Sequence, residues 1–328
     1  MFGFIVSRIL QGVPVLLVVG FIAFALFAYV GDPVSILLGV NYTEADRVAL
    51  IRQLGLDQPF FVQYARFLWT ALHGDFGISY RLAQPVGQLI GERLPATLEL
   101  AVTASVLAFA VGVPLGVYTG IYRNAALSRL FMVVSLVGVS LPTFLLGILL
   151  ILVFSVALGW LPSFGRGPVV HIGSWWTTGF TSRAGIRALI LPAITLGLFQ
   201  MTLIMRLVRA EMLEVLRTDY IRFARARGLG NRTINFGHAL KNTLVPVITI
   251  IGLQFGGIVA FSLVTETVFQ WPGMGLLLVQ SVVSADIPVM SAYLLLIALL
   301  FVTINLVVDL LYYAVDPRLR GALRSGGR

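Results

Sequence analysis

No cysteine occurs among the 328 residues, and lysine occurs once. Without cysteine there are no disulfides and no thiolate chemistry, and the redox compartment leaves no trace in the sequence. The single lysine, Lys241, follows Leu240. A P-loop needs its lysine directly after a glycine to reach the β- and γ-phosphates, so the chain is not a P-loop ATPase. Three histidines, His73, His171 and His238, stand far apart with no ligand spacing and do not make a metal site. There is no Ser/His/Asp arrangement and no zinc-protease motif. Charge is also scarce, at 11% of residues against roughly a quarter in soluble domains.

What fills the space is apolar. Hydrophobic residues make up 58% of the chain. Six long charge-free runs are read as spans: 9–31, 100–122, 130–165, 188–205, 242–265 and 287–308. Each can hold the roughly 20 apolar residues that cross a bilayer. The expected fold is therefore all-α, a polytopic membrane protein with six transmembrane helices. The first run is too long for a signal-peptide core of about 7–15 residues and is read as a span ending at Gly31-Asp32-Pro33.

With the N-terminus in the cytoplasm, 15 basic residues fall inside and 8 outside. That bias agrees with the positive-inside rule, and all five tryptophans then lie on the outer side, where interfacial anchoring favours them. Both termini are expected in the cytoplasm. The net charge of +9 reflects this topology and not nucleic-acid binding; the surrounding partner is membrane lipid.

The outer region 32–98 reads as a helix over Thr43–Leu54, with Thr43 as N-cap and Asp46 three residues later. A break at Gly55–Pro59, an aromatic helix Phe60–Leu72, a glycine turn at 74–79 and a short amphipathic segment Pro85–Arg93 follow. It suits a cap on the bundle or a docking face equally. Span two, from about Thr97 to Tyr122, carries Gly112, Gly116 and Gly120 at four-residue spacing, which lets helices approach closely; packing within the chain is preferred to a subunit contact. Pro142 falls in span three and Pro192 in span four. Residues 159–187 form a second outer loop. Residues 265–289, with Glu266 and Trp271-Pro272-Gly273, read as an outer turn or partial re-entrant segment. Gln254, polar at membrane depth, faces protein or water. Glu99, Glu266 and Asp309 sit near span ends and read as interfacial charges, with Gln254 and Glu266 as candidates for the pathway or gate.

The densest charge lies in 206–242, with seven arginines and Lys241. Leu213, Leu216, Tyr220, Phe223 and Arg227 recur at spacings of three and four, one stripe of a helix. Gly228 and Gly230 stop it, and Asn231 or Thr233 caps a second helix running toward Asn242. A solvated loop would explain the arginines but not the apolar stripe. A docking element for a soluble partner explains both.

The chain resembles the permease subunits of bacterial ABC importers of the dipeptide, oligopeptide and nickel class along nearly its whole length. The matching stretches are GDFGISY (74–80), RLPATLEL (93–100), SLPTFLLG (140–147), LPAITLG (191–197), DYIRFARARGL (219–229), HALKNTLVPVIT (238–249), TETVFQWPGMG (265–275) and NLVVDLLYYAVDPRLR (305–320). The family's E-A-A…G loop maps onto Arg222, Phe223, Ala224 and Gly228, with Glu and the first Ala replaced here and Pro246 lying further on than in the general pattern.

The resemblance implies a type I importer permease fold. Residues 1–95 would form the N-terminal span and periplasmic region. Residues 96–316 would be the permease domain, with a coupling loop at 206–242, and 317–328 a cytoplasmic tail. It implies a multi-pass protein of the bacterial inner membrane, paired with a homologous second permease and two cytoplasmic ABC ATPases, and served by an external solute-binding protein. Tyr220, Arg222, Phe223, Ala224, Arg225, Ala226, Arg227 and Gly228 would couple to the ATPases. The chain itself would bind no cofactor and catalyse nothing, since ATP-Mg would act in the partners. The solute would be a peptide or a similar small molecule. A secondary transporter independent of any ATPase is the alternative, with a structural or assembly subunit behind it.

Overall fold

The computed structural model describes residues 2–29, 34, 38, 42–173 and 175–315. The chain is mostly helical, 77%. In order the elements are α1 (Phe2–Tyr29), α2 (Glu44–Leu54), α3 (Phe60–Leu72), α4 (Val86–Ile121), α5 (Ala126–Ser140), α6 (Thr143–Leu150) running into a π-helical turn (Ile151–Ala157), and a hairpin of β1 (Val170–Ile172) and β2 (Trp176–Thr178). Then come α7 (Arg183–Val215), α8 (Asp219–Ala226), a π-helical turn (Thr233–Ala239) leading into α9 (Leu240–Val268), α10 (Met274–Val283) and α11 (Ile287–Val315). The turn at 31–33 and the tail 317–328 expected above lie outside the described residues.

Among the described residues, four helices are long and apolar enough to cross a membrane: Ile5–Ala25 of α1, and α4, α7 and Ile287–Leu310 of α11. A fifth arises if α5 and α6, bent by 108° at Leu141-Pro142, count as one span. Pro142 causes the break: it cannot donate to the helical ladder and pushes the residue before it out of the helical region. The remaining expected run, 242–265, falls on α9, a 29-residue helix whose shorter apolar part is Gln254–Val268.

The chain divides into two compact units. One comprises residues 1–96, 171–178 and 272–303. In it Phe21 and Phe24 of α1 meet Phe60, Tyr64 and Phe67 of α3 with ring centroids 5.0–5.7 Å apart, and the Tyr64 hydroxyl donates to the Leu17 carbonyl at 2.7 Å. The α2 helix starts as its sequence predicts. Thr43 and Asp46 exchange side-chain-to-backbone bonds in a capping box, and Gly55 ends the helix at φ +68°. The Thr43 hydroxyl, then its backbone N–H, hold the Asp46 carboxyl below its ordinary 3.8. A lowered carboxylate stabilises above its unfolded pKa and ceases to as pH falls through its folded one, so in acid α2 loses the Asp46 half of its capping box.

The glycine turn of this unit is held by a buried carboxylate. Asp286, 1% exposed, accepts from the Ser79 hydroxyl and from the backbone N–H groups of Tyr80 (3.1 Å) and Arg81 (3.3 Å). Burial, then the Asp286 charge, push the Tyr80 phenol above its ordinary value. Asp286→Ala would strand three donors, each worth about 1–3 kcal/mol when left unsatisfied in the interior. The expected result is faster tryptic cleavage after Arg81, by about tenfold for each 1.4 kcal/mol of local opening, with Asp286→Asn intermediate. Unchanged cleavage would mean that the turn is held by something else. The amphipathic segment expected at Pro85–Arg93 is not separate. It is the first part of α4, which runs unbroken through Pro95, so the helix that carries span two begins at Val86.

The second unit comprises 97–170, 179–271 and 304–328. Here α4 packs along α7. A Cβ on Gly112 would lie 3.0 Å from Ile204 Cγ2, on Gly116 2.6 Å from Val208 Cβ, and on Gly120 2.8 Å from Met212 Cβ. The paired positions rise together by four residues, so α4 and α7 run parallel. The glycine stripe packs within the chain. The bent pair α5–α6 returns alongside α7, with Gly138 against Leu198 and Gly147 against Thr195 and Val268. The α9 helix runs opposite to α7: Val247 packs with Val208 and Met212, while its far end lies by Thr195. One end of this unit thus gathers Ile121, Val215, α8 and the start of α9. The other gathers the Thr97–Glu99 part of α4, the first turns of α7 and the end of α9.

The reading of Glu99 and Glu266 as interfacial charges is corrected. Both are buried, at 4% and 0% exposure. Glu99 pairs with Arg166, and the Glu266 carboxylate accepts from the Thr97 hydroxyl at 2.7 Å and the Ser262 hydroxyl at 3.0 Å. A buried charge is retained only when paired or hydrogen-bonded, and sequence proximity to a span end does not reveal partners 67 or 169 positions away. Asp309 is half-buried. In 265–289 the end of α9 passes through a turn into the short helix α10. Phe269 and Trp271 are each 1% exposed, and α10 follows with Met274, Leu276 and Leu277 buried.

Candidate coupling site

The charged stretch is not one continuous helix. The α7 helix ends at Val215, and a turn at Leu216–Thr218 follows, closed by N–H bonds from Arg217 to the Glu214 carbonyl and from Thr218 to the Val215 carbonyl. The Thr218 hydroxyl also donates to Val215 O, at 2.6 Å. The α8 helix then starts afresh at Asp219. The stripe expected to join Leu213 and Leu216 to Tyr220 and Phe223 is therefore split. Leu216 packs on the core, whereas Tyr220 and Phe223 face outward, 42% and 64% exposed.

The buried face of α8 is a different pair, Ile221 at 0% and Ala224 at 8%. They sit in one apolar cluster with Val208 and Met212 of α7, Ile234 and Ala239 of the π-helical turn, and Val247 of α9. Three residues apart, they share a helix face. The missed signal is Thr218-Asp219: a threonine at the N-cap and an acid in the first turn mark a helix start, which resets the phase of the stripe.

The other predicted residues lie on the outward side. Arg222, Arg225, Ala226, Arg227 and Gly228 are exposed. Arg222 pairs with Asp219 at 3.2 Å, both solvent-facing, and the Arg227 guanidinium lies 5.8 Å from the Phe223 ring. Gly228 takes φ +78°, where glycine pays no Cβ penalty. Its N–H donates to the Arg225 carbonyl at 2.9 Å, and the Leu229 N–H to the Ala224 carbonyl at 3.3 Å. Asn242 donates to the Tyr220 hydroxyl at 2.6 Å, tying α8 to the first turn of α9. The second helix expected toward Asn242 is not separate; the π-helical turn continues into α9.

What emerges is a short helix with a small apolar underside and an outward face of two rings and several guanidinium groups. Such a face suits a groove that is apolar at its floor and acidic at its rim. Gln254 and Glu266, the predicted pathway residues, do not come together. Gln254 is half-buried in the middle of α9, and Glu266 lies 12 residues on, about 18 Å along a helix at 1.5 Å per residue. Glu266 belongs to the end of the unit opposite α8. Among the described residues no cluster of His, Cys, Asp and Glu suits a metal ion.

Long apolar helices in parallel and antiparallel array, with an amphipathic helix set between two of them, are the architecture of a multi-pass membrane protein. The chain belongs to the family described as binding-protein-dependent transport system inner membrane component, which matches residues 112–321, with the N-terminal region of the same system matching 1–101. It is a permease subunit of an ABC importer and a multi-pass protein of the inner membrane. It is 41% identical over 322 residues to a peptide transport system permease protein of Brucella abortus (strain 2308), covering 98% of this chain and 99% of that one. It is 40% identical over 323 residues to the glutathione transport system permease protein GsiC of Escherichia coli (strain K12), with the same coverage. In fold it is similar to a chain of the inward-facing MetNI methionine ABC transporter, with a TM-score of 0.54 and 22% identity over 67% of this chain and 93% of that one.

Proposed function

We propose that this permease carries peptides or peptide-like solutes such as glutathione inward, handed over by an external binding protein and driven by ATP hydrolysis in separate subunits. The observation that carries the energy-coupling half is the outward face of α8. Phe223 is 64% exposed on a helix whose other side is anchored in the core, so a partner can push on it without prising it loose. The substrate half is supported by the names of the relatives. No catalysis is assigned to this chain, and it holds no cofactor; ATP-Mg works in the partners.

Six spans suit this role: α1, α4, the bent pair α5–α6, α7, α9 and α11. The parallel run of α4 and α7 requires the chain between them to return once across the membrane, which the bent pair does. The basic α8 end then faces the cytoplasm with both termini, following the positive-inside rule. Two cytoplasmic ATPases grip the α8 of this chain and of a homologous second permease. Tyr220, Arg222, Phe223, Arg225 and Arg227 make the contact; Ala224 seats the helix, Ala226 keeps it short-sided, and Gly228 turns the chain. The α9 helix, bound to α8 through Tyr220 and Asn242, carries the motion toward Gln254 and Glu266, the pathway or gate residues.

The test is purification from native membranes followed by reconstitution. A second permease, P-loop ATPases and ATP-dependent uptake of labelled dipeptide or glutathione that needs the binding protein are expected. Uptake by the isolated chain under an ion gradient would overturn the proposal.

A further inference from the structure

The loop after the bent pair carries an arginine between two left-handed glycines. Gly165 and Gly167 have φ +81° and +73°, and a Cβ on Gly167 would lie 3.2 Å from the Gly185 backbone. This tight double turn drives Arg166 inward to 6% exposure. Its Nε (2.8 Å) and Nη2 (2.5 Å) both donate to Glu99 Oε2. The other carboxylate oxygen, Oε1, accepts the Gly179 N–H at 3.0 Å. One carboxylate on α4 therefore holds the loop at two points 13 residues apart. The Arg166 guanidinium lies 6.0 Å from the buried Trp271 ring, and the Gly165 N–H donates to the Phe269 carbonyl at 2.9 Å. All of this lies at the end of the unit opposite α8.

The fixed loop displays an adhesive face. Trp160 and Phe164 are 58% and 61% exposed. With Arg187, whose guanidinium donates to the Trp160 carbonyl, they line an open pocket of about 380 Å³. Rings beside a guanidinium are the side chains that anchor protein interfaces. Arg183, also exposed, adds positive charge that an acidic surface would complement.

We propose that Glu99 is a positioning residue: through Arg166 and Gly179 it sets the pose of the loop Gly159–Gly167, and that posed face is where the external binding protein docks with an acidic, apolar patch. The inference rests on the transport reading above. Two Arg166 N–H groups converge on one buried Glu99 oxygen, so the loop cannot change pose without breaking two charged hydrogen bonds at once. Affinity for the binding protein then depends on a residue that never touches it, because a preorganised face costs less ordering on binding.

The experiment uses the full complex in nanodiscs with its binding protein. ATP turnover is measured against binding-protein concentration for the unmodified chain and for Glu99→Gln, which keeps the shape and loses the charge. The half-saturating concentration is expected to rise at least tenfold, with the maximal stimulated rate within twofold and basal turnover unchanged. Because the chain has no cysteine of its own, Phe164→Cys gives it a single spin-label site, the complex without that substitution serves as the labelling blank, and Glu99→Gln should increase the label's mobility before binding protein is added. Arg166→Lys, which keeps the charge and loses the fork, is read the same way should Glu99→Gln lower assembly. An unchanged half-saturating concentration, or an unchanged label, would overturn the proposal. So would an equal fall in basal and stimulated rates, which marks a purely structural role. An unmodified complex that the binding protein does not stimulate would overturn the transport reading and this inference with it.

Discussion

Phe223→Asp should cut binding-protein-stimulated ATP turnover by about 100-fold, the consequence of losing an interface anchor worth roughly 3 kcal/mol, while leaving the chain in the membrane at normal levels. The two halves follow from the same fact. Phe223 is 64% exposed, and the Arg227 guanidinium lies 5.8 Å from its ring. Removing the ring leaves no cavity and strands no polar group. An aspartate there meets the acidic rim expected of the partner, and like charges across an interface oppose association. Gly228→Pro should reach the same endpoint by another route. Proline is locked near φ −65°, the site needs +78°, and the N–H bond to the Arg225 carbonyl disappears with it. Ile221→Asp is the contrasting control. Ile221 is 0% exposed in the cluster between α7 and α9, so its variant should fail to accumulate at all. Normal coupled turnover in Phe223→Asp, checked by phosphate release from the reconstituted complex, would sink the docking role of α8.

Much of this was legible in the sequence, for reasons that differ by element. Thr43, Asp46 and Gly55 fix the ends of α2 through local bonds that span three or four residues, so reading them needs no tertiary knowledge. Phe60–Leu72 sits between Pro59 and the Gly74 turn and was bounded the same way. The break at Pro142 was visible as a proline, though not as a 108° bend. The start of α4 lies earlier than the expected span because Pro85–Arg93 reads as a separate amphipathic segment; buried residues from Val86 and Leu89 to Leu100 and Ala101 carry one helix through. The outward rings of α8 were found and its underside was not. The stripe was phased from Leu213 and Leu216 across three residues that are not helical. Glu99 and Glu266 were misjudged for a deeper reason. What a carboxylate does depends on partners brought by the fold, and Arg166 reaches Glu99 across 67 positions. The Gly-Arg-Gly at 165–167 was the available clue, since two glycines around one arginine allow a turn that points it inward.

Gly116→Leu should abolish accumulation of the assembled permease, and Gly116→Ala should lower it in proportion to a much smaller intrusion. At Gly116 the first carbon of any side chain would already stand 2.6 Å from Val208 Cβ and 2.7 Å from the Met205 carbonyl oxygen. Overpacking by a few methylenes costs about 1–3 kcal/mol where neighbours can shift. Here one neighbour is backbone, and the glycines one turn either side, Gly112 and Gly120, are held against Ile204 and Met212 in the same register. The stripe extends further than its glycines: Ala104 and Ala108, both 0% exposed, continue it at the same spacing, and the Ala104 carbonyl lies 2.8 Å from where a Cβ on Gly197 would stand. A wedge at Gly116 therefore parts a seam five small residues long. In a bilayer no hydrophobic force reseals it, since lipid is as apolar as leucine and close packing is what joins the helices. Gly91 on the same helix has nothing within 4 Å of its would-be Cβ, so Gly91→Ala should be neutral. Val208→Gly should rescue Gly116→Ala only in part, because the Met205 carbonyl remains. Quantitative blotting of the membrane fraction and size-exclusion of the solubilised complex check each step, and full accumulation of Gly116→Leu would mean that α4 and α7 are not locked together as the glycine register requires.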